Sequence, residues 1–145
     1  MGDISTFPTR HTILVTDPQV ARLLTFTAAE TIKAGMIVTV VATTGDEKVT
    51  AGNSGDTGPV VGVALYDAAT NDPVTVCCAG CICYVANESA SAAIGEGVSL
   101  VLSNTDGTVM AATTGAAYVV GLSLEDIAAN GWGQALIMPY QQVVS

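Results

Sequence analysis

Short apolar runs with a two-residue period, bounded mostly by turn residues, recur along most of the chain. "MIVTVV" (36–41), "KVTA" (48–51), "VVGVALY" (60–66), "VTVCC" (74–78) and "CICYV" (81–85) have this form. So do "VSLVL" (98–102), "TVMA" (108–111), "YVVGLSL" (118–124) and "QALIMPY" (134–140). Such alternation predicts half-buried strands. Gly62 and Gly121 fall inside strands, where glycine signals a bulge or a close backbone approach. "DAATND" (67–72) and "EDIAAN" (125–130) read as one short helical turn or a loop, and "SASAAI" (89–94) is equally open. The pattern predicts a mainly β fold, a compact antiparallel barrel or sandwich with at most short helices.

The strands are organised as a repeat. Residues 28–76 and 89–138 carry the same elements in the same order. A small-residue stretch reaches Ile32 or Ile94, and a glycine follows at Gly35 or Gly97. Next come an apolar strand, a Gly/Asp turn (Gly45-Asp46, Asp106-Gly107) and then "VVGVAL" or "VVGLSL". Residues 25–145 are therefore expected to be a single β domain of two similar halves. Residues 1–24 form an N-terminal arm, interrupted by Pro8 and Pro18. Its run "HTILV" has no counterpart in the repeat and is a candidate for pairing with another chain.

Composition supports this picture. Half of the 145 residues are hydrophobic, yet only 5% are aromatic and 12% charged. Ala, Val, Gly, Thr and Ser suit short strands and tight turns. No apolar run approaches the roughly 20 residues that span a bilayer, so no membrane partner is expected. "MGDISTFPTRHTILV" lacks the apolar core of a signal peptide, and Asp3 weakens its likeness to a myristoylation site. The expected compartment is a cytoplasm, where thiols stay reduced. The net charge is −9, and all four Lys and Arg lie within residues 1–48. Phosphate binding needs clustered bases, so nucleic acid is not an expected partner.

Candidate chemistry centres on "VTVCCAGCICYV", with Cys77, Cys78, Cys81 and Cys83. Zinc needs four convergent ligands, and this chain has one Cys-x-x-Cys and a distant His11. A redox pair needs a helix N-terminus, whereas this one lies between strands. If Val74 and Val76 face inward, Cys78 shares their face and Cys77 points away. The expected role is buried apolar filler, with no metal and no cofactor. Asp67 and Asp126 occupy matching places, as turn-initiating carboxylates would. "GDEKVTAGNSGDTGP" (45–59) lacks both phosphate-loop and calcium-loop spacing and is expected to be a flexible loop. Trp132, between Gly131 and Gly133, suits a core lid and an interface anchor equally.

The series Gly62-Val63-Ala64-Leu65, Gly97-Val98, Asp106-Gly107 and Gly121-Leu122-Ser123-Leu124 resembles the decoration, or cement, proteins of tailed phages. The likeness spans roughly residues 28–138 and extends to the fold of lambda-type decoration proteins. It implies a β-tulip-like domain on the outside of the expanded icosahedral head, bound to the major capsid protein, commonly as a homotrimer. It also implies stabilisation of the shell against DNA pressure, and it carries no catalytic residues. On this reading Arg10, His11, Thr12, Ile13, Leu14 and Val15 are candidate capsid contacts, and Trp132 is a candidate interface residue. The rivals are a tail or fibre accessory domain that binds host glycans, and a small enzyme built on the cysteines or the Asp67/Asp126 pair. Low aromatic content and the lack of a His–nucleophile set weigh against them.

Overall fold

The computed structural model describes residues 7–41, 48–54, 59–88, 92–112 and 115–144, the last with backbone only at 115–118 and 140–144. The Gly45-Asp46 turn and residues 55–58 and 89–91 lie outside the described residues, and 48–51 of the expected 45–59 loop form a strand instead. Among the described residues every regular element is a strand. β1 (Leu23–Ala28), β2 (Ile37–Val40), β3 (Lys48–Ala51), β4 (Val60–Ala64) and β5 (Pro73–Cys77) close a barrel in the order β1-β3-β2-β4-β5. β6 (Ile82–Ala86), β7 (Ser99–Leu102), β8 (Val109–Ala111), β9 (Gly115–Ser123) and β10 (Trp132–Val144) form a second sheet in the order β6-β10-β9-β7-β8.

The two sheets are one winding used twice. Moving each strand five places along the chain converts the first order into the second. β1 pairs in parallel with β3, Ala28 opposite Val49. The outer strands of the second sheet meet at the equivalent place, through a parallel bridge of Asn87 with Val109. "DAATND" and "EDIAAN" are not helical turns; Ala68 bridges Ile32 and Ile127 bridges Ile94. The sequence halves begin at residues 28 and 89, whereas each sheet begins one strand earlier, at β1 and β6. Period-two reading overlooks β1 because Leu24 is half exposed and Phe26 only partly buried.

Gly62 and Gly121 show why each half carries "VVG". Val38 pairs with Gly62 but Thr39 pairs with Val60, which leaves Val61 as an extra residue. Leu100 pairs with Gly121 but Val101 pairs with Val119, leaving Val120 in the same position. At both bulges the neighbouring backbone closes on the glycine. A Cβ on Gly62 would collide with the Cys77 carbonyl, and one on Gly121 with the Leu136 carbonyl.

The core of the first barrel combines small side chains, Ala28, Val38, Val49, Ala51, Ala64, Val74 and Val76, with the larger Ile32, Met36 and Phe7, all buried. A second cluster is shared between the sheets. It joins Ile37, Val63 and Cys77 to Val85, Leu100 and Ile137.

The arm is not an unpartnered strand. Leu14 bridges Cys83, the Tyr84 N–H donates to the Ile13 carbonyl (2.9 Å), and the Val15 N–H donates to the Ile82 carbonyl (2.9 Å). Residues 13–15 thus cover the edge of β6 that β10 leaves open, and Ile13 enters the shared core. An edge strand with free backbone groups recruits a partner; here the partner is in the same chain.

Replacing Gly62 or Gly121 by Ala is expected to destabilise the fold by about 2 kcal/mol or more, because both blocking atoms are backbone and cannot swing aside. Gly95→Ala meets only Val98, at 3.9 Å, and should stay within about 0.5 kcal/mol of wild type. Denaturant unfolding followed by circular dichroism measures all three. Equal midpoints would contradict the bulge assignment.

Candidate functional site

The arm, once fixed, shapes one face of the molecule. The Ile82 N–H donates to Thr16 Oγ1 (2.7 Å), which anchors the far end of the paired segment. At the near end the Arg10 guanidinium lies 3.5 Å above the Tyr84 ring, and its Nε–H donates to the Thr12 carbonyl (2.9 Å). A cation over an aromatic face contributes about 0.5–1 kcal/mol at an exposed site. Further back, Phe7 is buried edge-on against Trp132, with ring centroids 5.7 Å apart and planes at 86°. Trp132 covers Gly35 and packs on both core clusters, so its ring acts as a lid held down by the arm.

The sequence-predicted contact residues divide by orientation. His11, Thr12 and Val15 are exposed, Arg10 is half-buried, Leu14 packs partly on the core, and Ile13 lies within it. Two clefts flank the arm. One, of about 170 Å³, lies between Arg10 and His11 on the arm and Lys33, Tyr66 and Asp67 on neighbouring turns. The other, of about 280 Å³, runs from His11 and Thr12 past Tyr66 to Pro18 and Leu23. Tyr66 separates them and is 64% exposed.

The other candidates have structural partners. Asp67 Oδ1 accepts from the Ala34 N–H (2.8 Å), and Asp126 Oδ1 accepts from the Glu96 N–H (2.9 Å). Each carboxylate clasps a turn of its own half, Asp67 the one that leads into β2 and Asp126 the one that leads into β7. Asp106 acts between the halves instead. It is buried, and its Oδ1 accepts from Asn53 Nδ2 (2.9 Å), which also donates to the Asn104 carbonyl (2.8 Å).

All four cysteines are free and buried. Cys78 packs with Val74 and Val76 inside the first barrel, while Cys77 joins Cys81 and Cys83 in the shared core. β5 has a core on each side, so adjacent thiols pointing apart are both covered. Cys81 Sγ–H donates to the Arg22 carbonyl (3.7 Å), and Cys78 Sγ–H to the Val76 carbonyl (3.7 Å). Among the described residues no group of three or more Cys, His, Asp or Glu side chains is placed to hold a metal. The Cys77 thiol is pushed far up by its hydrogen bond with Cys83 and by burial. Burial, then the hydrogen bond with Cys77, raises Cys81 from 9.0 to about 11. Burial likewise raises Cys78, so Cys77, Cys78 and Cys81 are packed, protonated thiols.

The N base of head fiber gp8.5 in bacteriophage phi29 has a similar fold: TM-score 0.61 and 16% identity, covering 82% of this chain and 95% of that one. No curated protein matches the chain. A sequence family described as phage cement protein matches residues 18–138. The chain belongs to that family.

As a phage cement protein it is a structural component of the virion, associated with the capsid. Sequence reasoning overlooked Lys33 and Tyr66 on the arm-bearing face. Both sit in turns, and a turn has no periodicity to report which way its side chains point. The available signal was compositional: Lys33 is one of only four bases, and Tyr66 ends an otherwise aliphatic "VVGVAL" run.

In the folded cement protein the thiols should resist an aromatic disulfide reagent at neutral pH, and all four should react after denaturation. Because the folded Cys81 value is raised, its stabilising contribution is full below the ordinary 9.0 and is lost as pH rises through about 11. Fast labelling of the native protein at pH 7 would contradict this packing.

Proposed function

We propose that this cement protein binds the outer surface of the expanded icosahedral head through its arm-bearing face, contacts the major capsid protein and stabilises the shell against internal DNA pressure. The observation carrying this reading is the paired arm, which presents His11, Thr12 and Val15 outward, with half-buried Arg10 before them and Tyr66 sharing a cleft with His11 and Thr12. A surface fixed before binding loses little conformational entropy on docking. Ile13 and Leu14 support that surface from beneath. A ligand that binds the assembled shell and not its separated subunits shifts the equilibrium towards the shell.

We further infer that the protein acts as a homotrimer. Support comes from the β9–β10 ribbon, where 115–119 and 140–144 pair with each other and, among the described residues, only Val119 also joins β7. Residues 107–124 and 127–145 carry no charged side chain. An uncharged ribbon lacks the charges that commonly discourage edge pairing, and three linked copies multiply weak capsid contacts through effective concentration. The glycan-binding alternative finds little support. Tyr66 is the one aromatic among the exposed large hydrophobic side chains described.

Heads carrying the protein should retain their DNA to a higher temperature than heads stripped of it, measured as dye-accessible DNA during heating. Equal release curves would remove the cement role. Light scattering of the free protein should give three times 14.6 kDa; a monomer mass at working concentration would remove the preformed trimer.

A further inference from the structure

The cleft between the arm and the neighbouring turns has an unusual charge for this molecule. Acidic side chains number 13 against four Lys and Arg and one His. Three of those five basic side chains, Arg10, His11 and Lys33, nevertheless line this one cleft. None of the three is in an ion pair among the described residues. Asp67 also lines the cleft, but its Oδ1 is engaged by the Ala34 N–H (2.8 Å). Arg10 is held in place by Tyr84 and by the Thr12 carbonyl, so its charge is positioned before any partner arrives. Tyr66 stands 64% exposed at the rim. Tyr and Arg are the side chains enriched where binding energy concentrates in protein interfaces.

We propose that this cleft receives an acidic polypeptide segment of the capsid protein, with its carboxylates among Arg10, His11 and Lys33 and its backbone alongside Tyr66. The inference rests on the capsid-binding reading above and specifies its chemistry. An acidic segment is attracted here and repelled by a surface that is otherwise mostly negative. The charge pattern therefore fixes which face meets the shell as well as strengthening the contact. Nucleic acid fits less well. The two cations Arg10 and Lys33 in one cleft cannot offset the repulsion that a chain of net charge −9 presents to a phosphate backbone.

The test uses the full chain and heads stripped of it, with bound protein measured by co-sedimentation. Wild-type binding should weaken about tenfold or more from low to high salt, as interactions between partly exposed charges are screened. Arg10→Glu with Lys33→Glu should lose at least as much. Arg22→Glu with Lys48→Glu changes the net charge equally but away from the cleft, and should lose much less. Arg10→Gln with Lys33→Gln provides a milder pair should charge reversal disturb folding, which circular dichroism monitors. Carbodiimide coupling of the complex should join Lys33 Nζ to an Asp or Glu of the capsid protein, identified by mass spectrometry. Salt-insensitive binding, equal losses in the two reversed pairs, or coupling that avoids Lys33 overturns the cleft while leaving capsid binding intact. Failure of the wild-type chain to bind heads at any salt overturns both.

Discussion

Much of this molecule follows from the close approach of backbone to backbone within each five-stranded unit. Ala28, Ala51, Ala64, Val38, Val49, Val74 and Val76 pack between the strands of the first barrel, with the larger Ile32, Met36 and Phe7 in the same cluster. At the bulges the backbones come together. Gly62 lies against the Cys77 carbonyl and Gly121 against the Leu136 carbonyl, so each half needs a residue without a Cβ at one fixed place. The repeated "VVG" is thus the result of one steric constraint met twice. A core rich in small residues stabilises weakly per side chain. The remedy here is to bury strands on both faces.

That double burial accounts for the cysteines. β5 faces its own barrel through Val74, Val76 and Cys78, and faces the other sheet through Cys77. A small apolar side chain with a weak donor fits both environments. The Cys78 and Cys81 thiols reach backbone carbonyls nearby, which leaves their polar atoms satisfied in a dry core. The sheets are also tied outside the core. The Gly107 N–H donates to the Gly52 carbonyl (2.8 Å), the Ile37 N–H donates to the Gly107 carbonyl (3.0 Å), and Asn53 grips Asp106. Asp106-Gly107 is therefore a clasp between halves as well as a turn within one.

Much of this was legible from sequence because strands and turns leave local signatures. Alternating apolar runs marked nine of the ten strands, and the matched series from Ile32 and Ile94 exposed the duplication. β1 was hidden because "LLTFTA" lacks strict alternation: Leu24 is half exposed and Phe26 only partly buried. "HTILV" was recognised as strand-like, but its partner was not. The open edge of β6 that receives it is created by tertiary winding, and nothing in "CICYV" announces which neighbour it lacks. Arg10, His11, Thr12 and Val15 could be proposed as contacts from the arm's position outside the repeat. Lys33 and Tyr66 could not, since they reach that face only through turns some 20 and 50 residues further along the chain.

The arm couples these levels. Ile13 contributes to the shared core, Phe7 holds Trp132 over Gly35, and Arg10 rests on Tyr84 of β6. The segment that shapes the outward face is therefore also part of what seals the two halves. A loose arm could contact a shell only after losing its own conformational freedom, whereas an arm docked in a core has already lost it during folding. The energy that orders it comes from burial of Phe7 and Ile13, neither of which needs to touch the partner. Apolar anchors set the position of the polar and charged groups around them within one short run of chain. Pairing with β6 divides the labour within "HTILV": Ile13 holds the face in place while His11, Thr12 and Val15 are exposed to meet a surface.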